Sequence, residues 1–167
     1  VRTVTEADAG KGIGKERDYQ DMDGLITNIP GITLVTFYAD CVPLYFVDPV
    51  HKAIGLSHSG WRGTVHRMGK ATLEAMNREY GTDPVDVVAC IGPSICQDCF
   101  EVGPEVAEEF AGNFAKKYHA ELFYRKENGK YQVDLWRANQ IILNEAGIPK
   151  DQIHTTDICT RCNPEHL

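Results

Sequence analysis

The stretch Ala39-Asp40-Cys41-Val42, continued by PLYFV (43–47), DPVHK (48–52) and AIGLSH (53–58), decides how this chain is read. The run 43–47 is β-branched and aromatic, Asp48-Pro49 brings turn chemistry, and the apolar pattern then resumes. Residues 43–58 therefore predict a β-hairpin. Paired strands lie roughly 5 Å apart, so Cys41 and His58, at the outer ends of the two strands, are expected to converge at one rim. A thiolate beside an imidazole is either a nucleophile with its base or a pair of ligands for a transition metal. The alternative is a buried cysteine beside a hydrogen-bonded histidine.

Immediately upstream, ITLVTFY (32–38) reads as a buried strand, and VRTVT (1–5) as a strand entered partway. Downstream the period changes. Ser59-Gly60-Trp61-Arg62-Gly63-Thr64 precedes Val65, Met68, Leu73 and Met76, which predicts a helix capped near Thr64 and ending at Gly81. Glycines at 60 and 63 let backbone amides approach a ligand, and Arg62 adds a charged fork suited to phosphate or carboxylate. Trp61 offers a face for a flat ring, or a brace for the loop.

Further along, VDVVACIG (85–92) predicts a strand, Gly103-Pro104-Glu105 a helix start, and Asn128-Gly129 a hairpin turn between 121–124 and 130–133. Asp134 is placed to cap a helix that Gly147 and Pro149 close, and a last strand is expected at 152–156. Hairpins mixed with single helices point to a mixed-sheet α/β or α+β fold.

The chain has 167 residues, 43% of them hydrophobic, which suits a single domain over 1–167. Its 24 acidic and 17 basic residues leave a net charge of −7, a poor match to nucleic acid or anionic membrane surfaces. No stretch approaches the roughly 20 apolar residues of a membrane span, and the first residues are too polar for a signal-peptide core. The six cysteines, Cys41, Cys90, Cys96, Cys99, Cys159 and Cys162, are expected to be free thiols in a reducing cytoplasm. Each of the pairs Cys96/Cys99 and Cys159/Cys162 has the spacing of half a structural zinc site. They stand much farther apart than in ordinary zinc ribbons, so packing as small, reduced side chains is the simpler expectation.

Together TFYADCVPLYFVDP, AIGLSHSGWRGT, CIGPSICQDCFEVGPEV and DICTRCNPEHL resemble the YfiH-like laccase-domain family, also called a polyphenol oxidase or purine nucleoside phosphorylase family. The resemblance runs over the whole chain. It implies a layered αββα fold with mixed sheets and a mononuclear zinc held by two histidines and one cysteine. Cys41 matches the cysteine ligand and His58 the second histidine, while the first histidine is expected upstream of Val1, as though both ends of a longer protein were missing. His51, in the hairpin turn, and His66, on the helix, are poor substitutes. Ser94 and Arg161 lie in loops that the resemblance places near the pocket, while alternation along the strand sends Asp40 to the face opposite Cys41, where it is at most a support behind the metal ligands.

The resemblance implies phosphorolysis of adenosine, inosine, guanosine and S-methyl-5'-thioadenosine, and deamination of adenosine. The partners are then purine nucleosides and phosphate, the catalytic residues Cys41 and His58, and the substrate-binding residues Gly60, Trp61, Arg62, Gly63, Thr64, Ser94 and Arg161. Three alternatives stand beside it. Copper loaded on a Cys-His pair gives a polyphenol oxidase reading, although a coupled multicopper centre needs more histidines than six scattered ones. A metal-free cysteine hydrolase needs only Cys41 and His58. A non-catalytic zinc-stabilised interaction module needs only the metal.

Overall fold

In the computed structural model, which describes residues 1–165, the hairpin expected at 43–58 forms the centre of a six-stranded mixed sheet. Strand β1 spans Arg2–Thr3, β2 Gly24–Thr27, β3 Val42–Asp48, β4 Ala53–Ser59, β5 Val88–Ile91 and β9 Ile153–Thr155. The order is β1-β2-β4-β3-β5-β9. The two outer pairings are parallel and the inner ones antiparallel. A second, antiparallel sheet joins β6 (Glu101–Val102), β8 (Tyr131–Val133) and β7 (Phe123–Arg125), the last two being the arms of the Asn-Gly hairpin.

The alternation in β3 explains its placement. Leu44 and Phe46 are buried while Tyr45 and Val47 remain exposed, so the strand puts one face to the core. Helices α2 (Met68–Tyr80) and α5 (Leu135–Glu145) cover that face, α2 over β2 and β4, α5 over β5 and β9. Gly55 in β4 lets this contact be close: a Cβ there would lie 3.1 Å from Met76 Sδ, so the methionine would have to give way by a few tenths of an ångström. The described residues thus form one helix-over-sheet layer of the expected αββα arrangement, with Tyr45, Val47, Ile54 and Val88 exposed on the sheet.

Local signals at several ends act as expected. Asp134 accepts a hydrogen bond from the Arg137 N–H at 2.8 Å and starts α5, Pro104 opens α3 (Pro104–Asn113), and Gly81 ends α2 in the left-handed region at φ 76°. A short turn of helix, α4 (His119–Leu122), takes the beginning of the segment expected to be strand before β7.

Two expectations are corrected. Residues 32–38 join no strand ladder among the described residues, and Phe37 is 84% exposed. The β-branched run records a preference for extension, whereas a buried strand also needs a partner on each side. The helix expected from Thr64 to Gly81 is two helices: α1 (Trp61–Val65) and α2 are separated at Arg67, which takes φ 62°. That left-handed conformation is costly for a non-glycine residue. It is held by Arg67 pairing with Glu145 at 2.8 Å, donating to the Asn113 carbonyl at 2.7 Å, and stacking over the Phe114 ring. Among the described residues no helix is long and apolar enough to cross a membrane.

Candidate active site

The β3/β4 register sets Pro43 opposite His58 and Val42 opposite Ser59, so Cys41, one residue before β3, lies beside the end of β4. Cys41 Sγ and His58 Nε2 converge on the same face of Gly60. A Cβ added to Gly60 would sit 3.2 Å from the sulfur and 3.3 Å from the nitrogen. The backbone of Gly60, at φ −60° and ψ 173°, is open to any residue, so the absence of a side chain matters here for space and not for conformation.

The other ring nitrogen is occupied. His58 Nδ1 lies 2.8 Å from Asp23 Oδ1, and the His58 backbone N–H donates to the Asp23 carbonyl at 2.6 Å. Asp23 reaches this position because β2 pairs antiparallel with β4, Gly24 opposite Ser57. The Tyr38 ring stacks on the imidazole, centroids 5.1 Å apart and planes 15° from parallel. A histidine fixed at Nδ1 by a carboxylate presents Nε2 as an acceptor or ligand in a set direction.

Both side chains line a cavity of about 740 Å³. Its lining comes from residues 32–41, from Met22, Asp23 and Leu25, and from several of the first 19 residues. Along 31–38 burial alternates residue by residue, which accounts for the unpaired segment: it is a wall and not a ladder strand. The lining contributed by the first 19 residues is braced by charge. Lys11 and Arg2 both bond Asp8, at 2.9 and 2.6 Å, and hold its carboxyl well below the usual carboxylate range. Burial, with the Asp40 charge added, raises the Cys41 thiol, and burial raises the Tyr38 phenol.

The remaining residues singled out in the sequence fall into two groups. Next to His58, but not among the residues that line the cavity, Gly63 packs so that a Cβ would lie 3.3 Å from the His58 carbonyl, Trp61 packs against the core, and the exposed Arg62 guanidinium lies 4.2 Å over the Trp61 ring. The helix beginning there has only five residues, so Arg62 contributes the positive charge and not a long helix dipole. Away from the cavity, Thr64 is buried against Ser59 Oγ and Asn139 Nδ2, at 3.0 and 3.2 Å, and does not cap a helix. Ser94 is also buried, donating to the Gly92 carbonyl at 3.0 Å and accepting from Trp136 Nε1 at 2.7 Å. In this structure Thr64 and Ser94 brace loops. Arg161 is exposed and donates to the Cys99 carbonyl at 3.4 Å. His51 pairs with Asp48 at 2.9 Å in the hairpin turn and His66 is exposed at the end of α1, so neither reaches Cys41.

Asp40 does more than its alternation predicts. It lines the cavity, its carboxylate accepts from Thr160 Oγ1 at 2.6 Å, and its carbonyl accepts from the Ile95 N–H. Asp23 was not legible as a site residue, since nothing near it marks it out and its partner lies 35 residues away.

The donor set suits a metal. A soft sulfur and an imidazole nitrogen meet over an open glycine face, and a carboxylate behind the imidazole fixes its orientation. Four other cysteines, Cys96, Cys99, Cys159 and Cys162, also come together, with their sulfurs all within 4.8 Å of one another. Parallel pairing of β5 with β9 brings the loops that follow them side by side, so the two pairs meet despite their distance in sequence, and all four cysteines are free thiols.

A family model described as multi-copper polyphenol oxidoreductase laccase matches residues 1–167. The chain is 45% identical over 139 residues to a purine nucleoside phosphorylase of Bacteroides thetaiotaomicron, covering 83% of this chain and 51% of that protein. It is 42% identical over 153 residues to adenosine deaminase RL5 from an unknown prokaryotic organism, covering 89% and 56%. The crystal structure of the Bacillus licheniformis hypothetical protein YfiH superimposes with a TM-score of 0.89 at 32% identity, covering 98% of this chain and 61% of that one. The chain thus spans about half to three-fifths of the length of these relatives. With the mixed sheet, the Cys41/His58 rim and a match along its whole length, the chain belongs to the multi-copper polyphenol oxidoreductase laccase family, whose members include the YfiH-like proteins.

Proposed function

We propose that this chain carries the centre of a cytoplasmic zinc-dependent purine nucleoside enzyme. It would phosphorolyse adenosine, inosine, guanosine and S-methyl-5'-thioadenosine and hydrolytically deaminate adenosine. The observation that carries the reading is the meeting of Cys41 Sγ and His58 Nε2 at Gly60, on the wall of a cavity of about 740 Å³. A space of that size suits a small-molecule ligand, and the names of the two relatives, purine nucleoside phosphorylase and adenosine deaminase, supply the substrate class.

Cys41 and His58 would hold the metal, with the third ligand a histidine expected upstream of Val1. When bound, zinc supplies a Lewis acid and makes water a nucleophile at neutral pH. The chain's own residues do the rest. Asp23 keeps the imidazole proton on Nδ1, so that Nε2 faces the cavity. Tyr38 covers one face of the ring and limits its rotation. Arg62, beside Gly60 and Gly63 in the segment that follows His58, is the candidate partner of phosphate, with Trp61 bracing the segment beneath it. Thr64, Ser94 and Asp40 hold the surrounding segments in register.

The family's description names copper chemistry, and a Cys-His pair also binds copper. A coupled multicopper centre requires clustered histidines, and among the described residues the sole group of three or more potential ligands close enough to share one ion consists of cysteines. The test is chromatography of adenosine incubated with the full-length, zinc-loaded protein, with and without phosphate. Inosine without phosphate, and free base only with it, is the expected result. Turnover of phenols with no turnover of adenosine would overturn the proposal.

A further inference from the structure

The two C-x-x-C pairs lie outside the cavity, and the nucleoside chemistry does not use them. Cys99 Sγ is 3.5 Å and Cys96 Sγ 4.0 Å from Cys162 Sγ, and all four sulfurs fall within 4.8 Å of one another. Zinc–sulfur bonds of about 2.3 Å in a tetrahedron place the sulfurs roughly 3.8 Å apart, so these separations are those of a four-thiolate site. The grouping is not that of a disulfide pair, because Cys162 has two sulfur neighbours at similar distance and all the cysteines are free.

Two further features favour thiolates at this point. The backbone N–H of Cys96 donates to Cys159 Sγ at 3.3 Å, crossing from one C-x-x-C loop to the other. Such N–H donors stabilise sulfur that carries negative charge. Arg161, between the two cysteines of its own loop, bonds the Cys99 carbonyl and brings a permanent positive charge beside the cluster. Cys162 is exposed, so an ion can enter from solvent.

We propose that Cys96, Cys99, Cys159 and Cys162 bind a structural zinc ion that fastens the segment after β9 to the loop after β5. The consequence reaches the cavity. The Ser94 N–H donates to the Ile158 carbonyl, the Thr160 N–H to the Ser94 carbonyl, and Thr160 Oγ1 to Asp40, which adjoins Cys41. Residues 157–163 belong to no strand or α-helix, so a metal clip is what would fix Thr160 against Asp40. This inference stands apart from the proposed nucleoside chemistry.

The test uses the full-length protein and its Cys41→Ala variant, so that the cluster is read with the other site disabled. Zinc is expected to remain bound to Cys41→Ala, and cobalt in its place is expected to show the intense visible bands and near-ultraviolet charge transfer of a tetrahedral four-thiolate site. Cys162→Ala, a change at an exposed position, should abolish that spectrum, while Arg161→Ala should keep it and release zinc faster to a chelator. Labelling of native protein with a thiol reagent should spare these four cysteines until a chelator is added. Cys41→Ala without bound zinc, a cobalt spectrum with fewer sulfurs, a mass lower by two hydrogens from a disulfide, or bound iron in place of zinc would each overturn the assignment.

Discussion

Asp23 Oδ1 stands 2.8 Å from His58 Nδ1, while the Asp23 carbonyl accepts the His58 backbone N–H, so one residue fixes both the ring and the main chain of its partner. The arrangement leaves Nε2 to face Cys41 across Gly60.

Asp23→Ala should weaken zinc binding at Cys41/His58 by about 10–100-fold, the usual cost of losing a carboxylate behind a ligating histidine. Asp23 is itself largely exposed, so the thermal midpoint should change little. Competition titration with a chromophoric chelator, alongside a melting curve, separates the two effects; unchanged affinity would remove Asp23 from the site.

Gly60→Ala tests the open face directly. The added Cβ would lie 3.2 Å from Cys41 Sγ and 3.3 Å from His58 Nε2, in the space a shared ligand would use. The backbone there accepts alanine without strain. The expected outcome is a folded protein with nucleoside turnover and metal affinity both strongly reduced, measured by circular dichroism, product chromatography and metal analysis.

Asn139 is buried and joins three partners, accepting from Ser59 Oγ at 2.9 Å and donating to Thr64 Oγ1 and the Leu135 carbonyl at 3.2 and 2.9 Å. Asn139→Ala leaves buried hydroxyls short of partners and should cost about 2–3 kcal/mol of stability, since each unsatisfied group costs about 1–3 kcal/mol. Urea denaturation gives the number directly. A loss below about 0.5 kcal/mol would show that the network is replaced by water.

Glu101 is held down to about 2 by Lys126 and then Lys130, against the opposing effect of burial. A depressed carboxyl contributes its stabilisation fully above its unfolded value near 4.5 and loses it as pH falls through about 2. The difference in stability between the protein and Glu101→Gln should therefore be present at neutral pH and shrink as acid is added. Exposure to solvent and salt keeps it small. Paired denaturation curves from neutral pH toward pH 3 read it, and a difference that grows on acidification would contradict the assignment.

Short-range chemistry was legible from the sequence alone. The hairpin at 43–58, the Asp134 cap, the proline start of α3, the Gly81 stop and the Asn-Gly turn depend on neighbours within a few residues, where backbone preference and side-chain pattern act alone. That range also brought Cys41 to the rim occupied by His58, because both flank one hairpin. Tertiary structure decided the rest. The register of β2 on β4 put Asp23 behind His58, and Glu145 with the Asn113 carbonyl held Arg67 in the left-handed turn that splits the expected helix. The parallel pairing of β5 and β9 gathered cysteines more than 60 residues apart. Each of these depends on which strands and helices become neighbours, and that choice is made by burial of the whole core, which no local window of sequence contains.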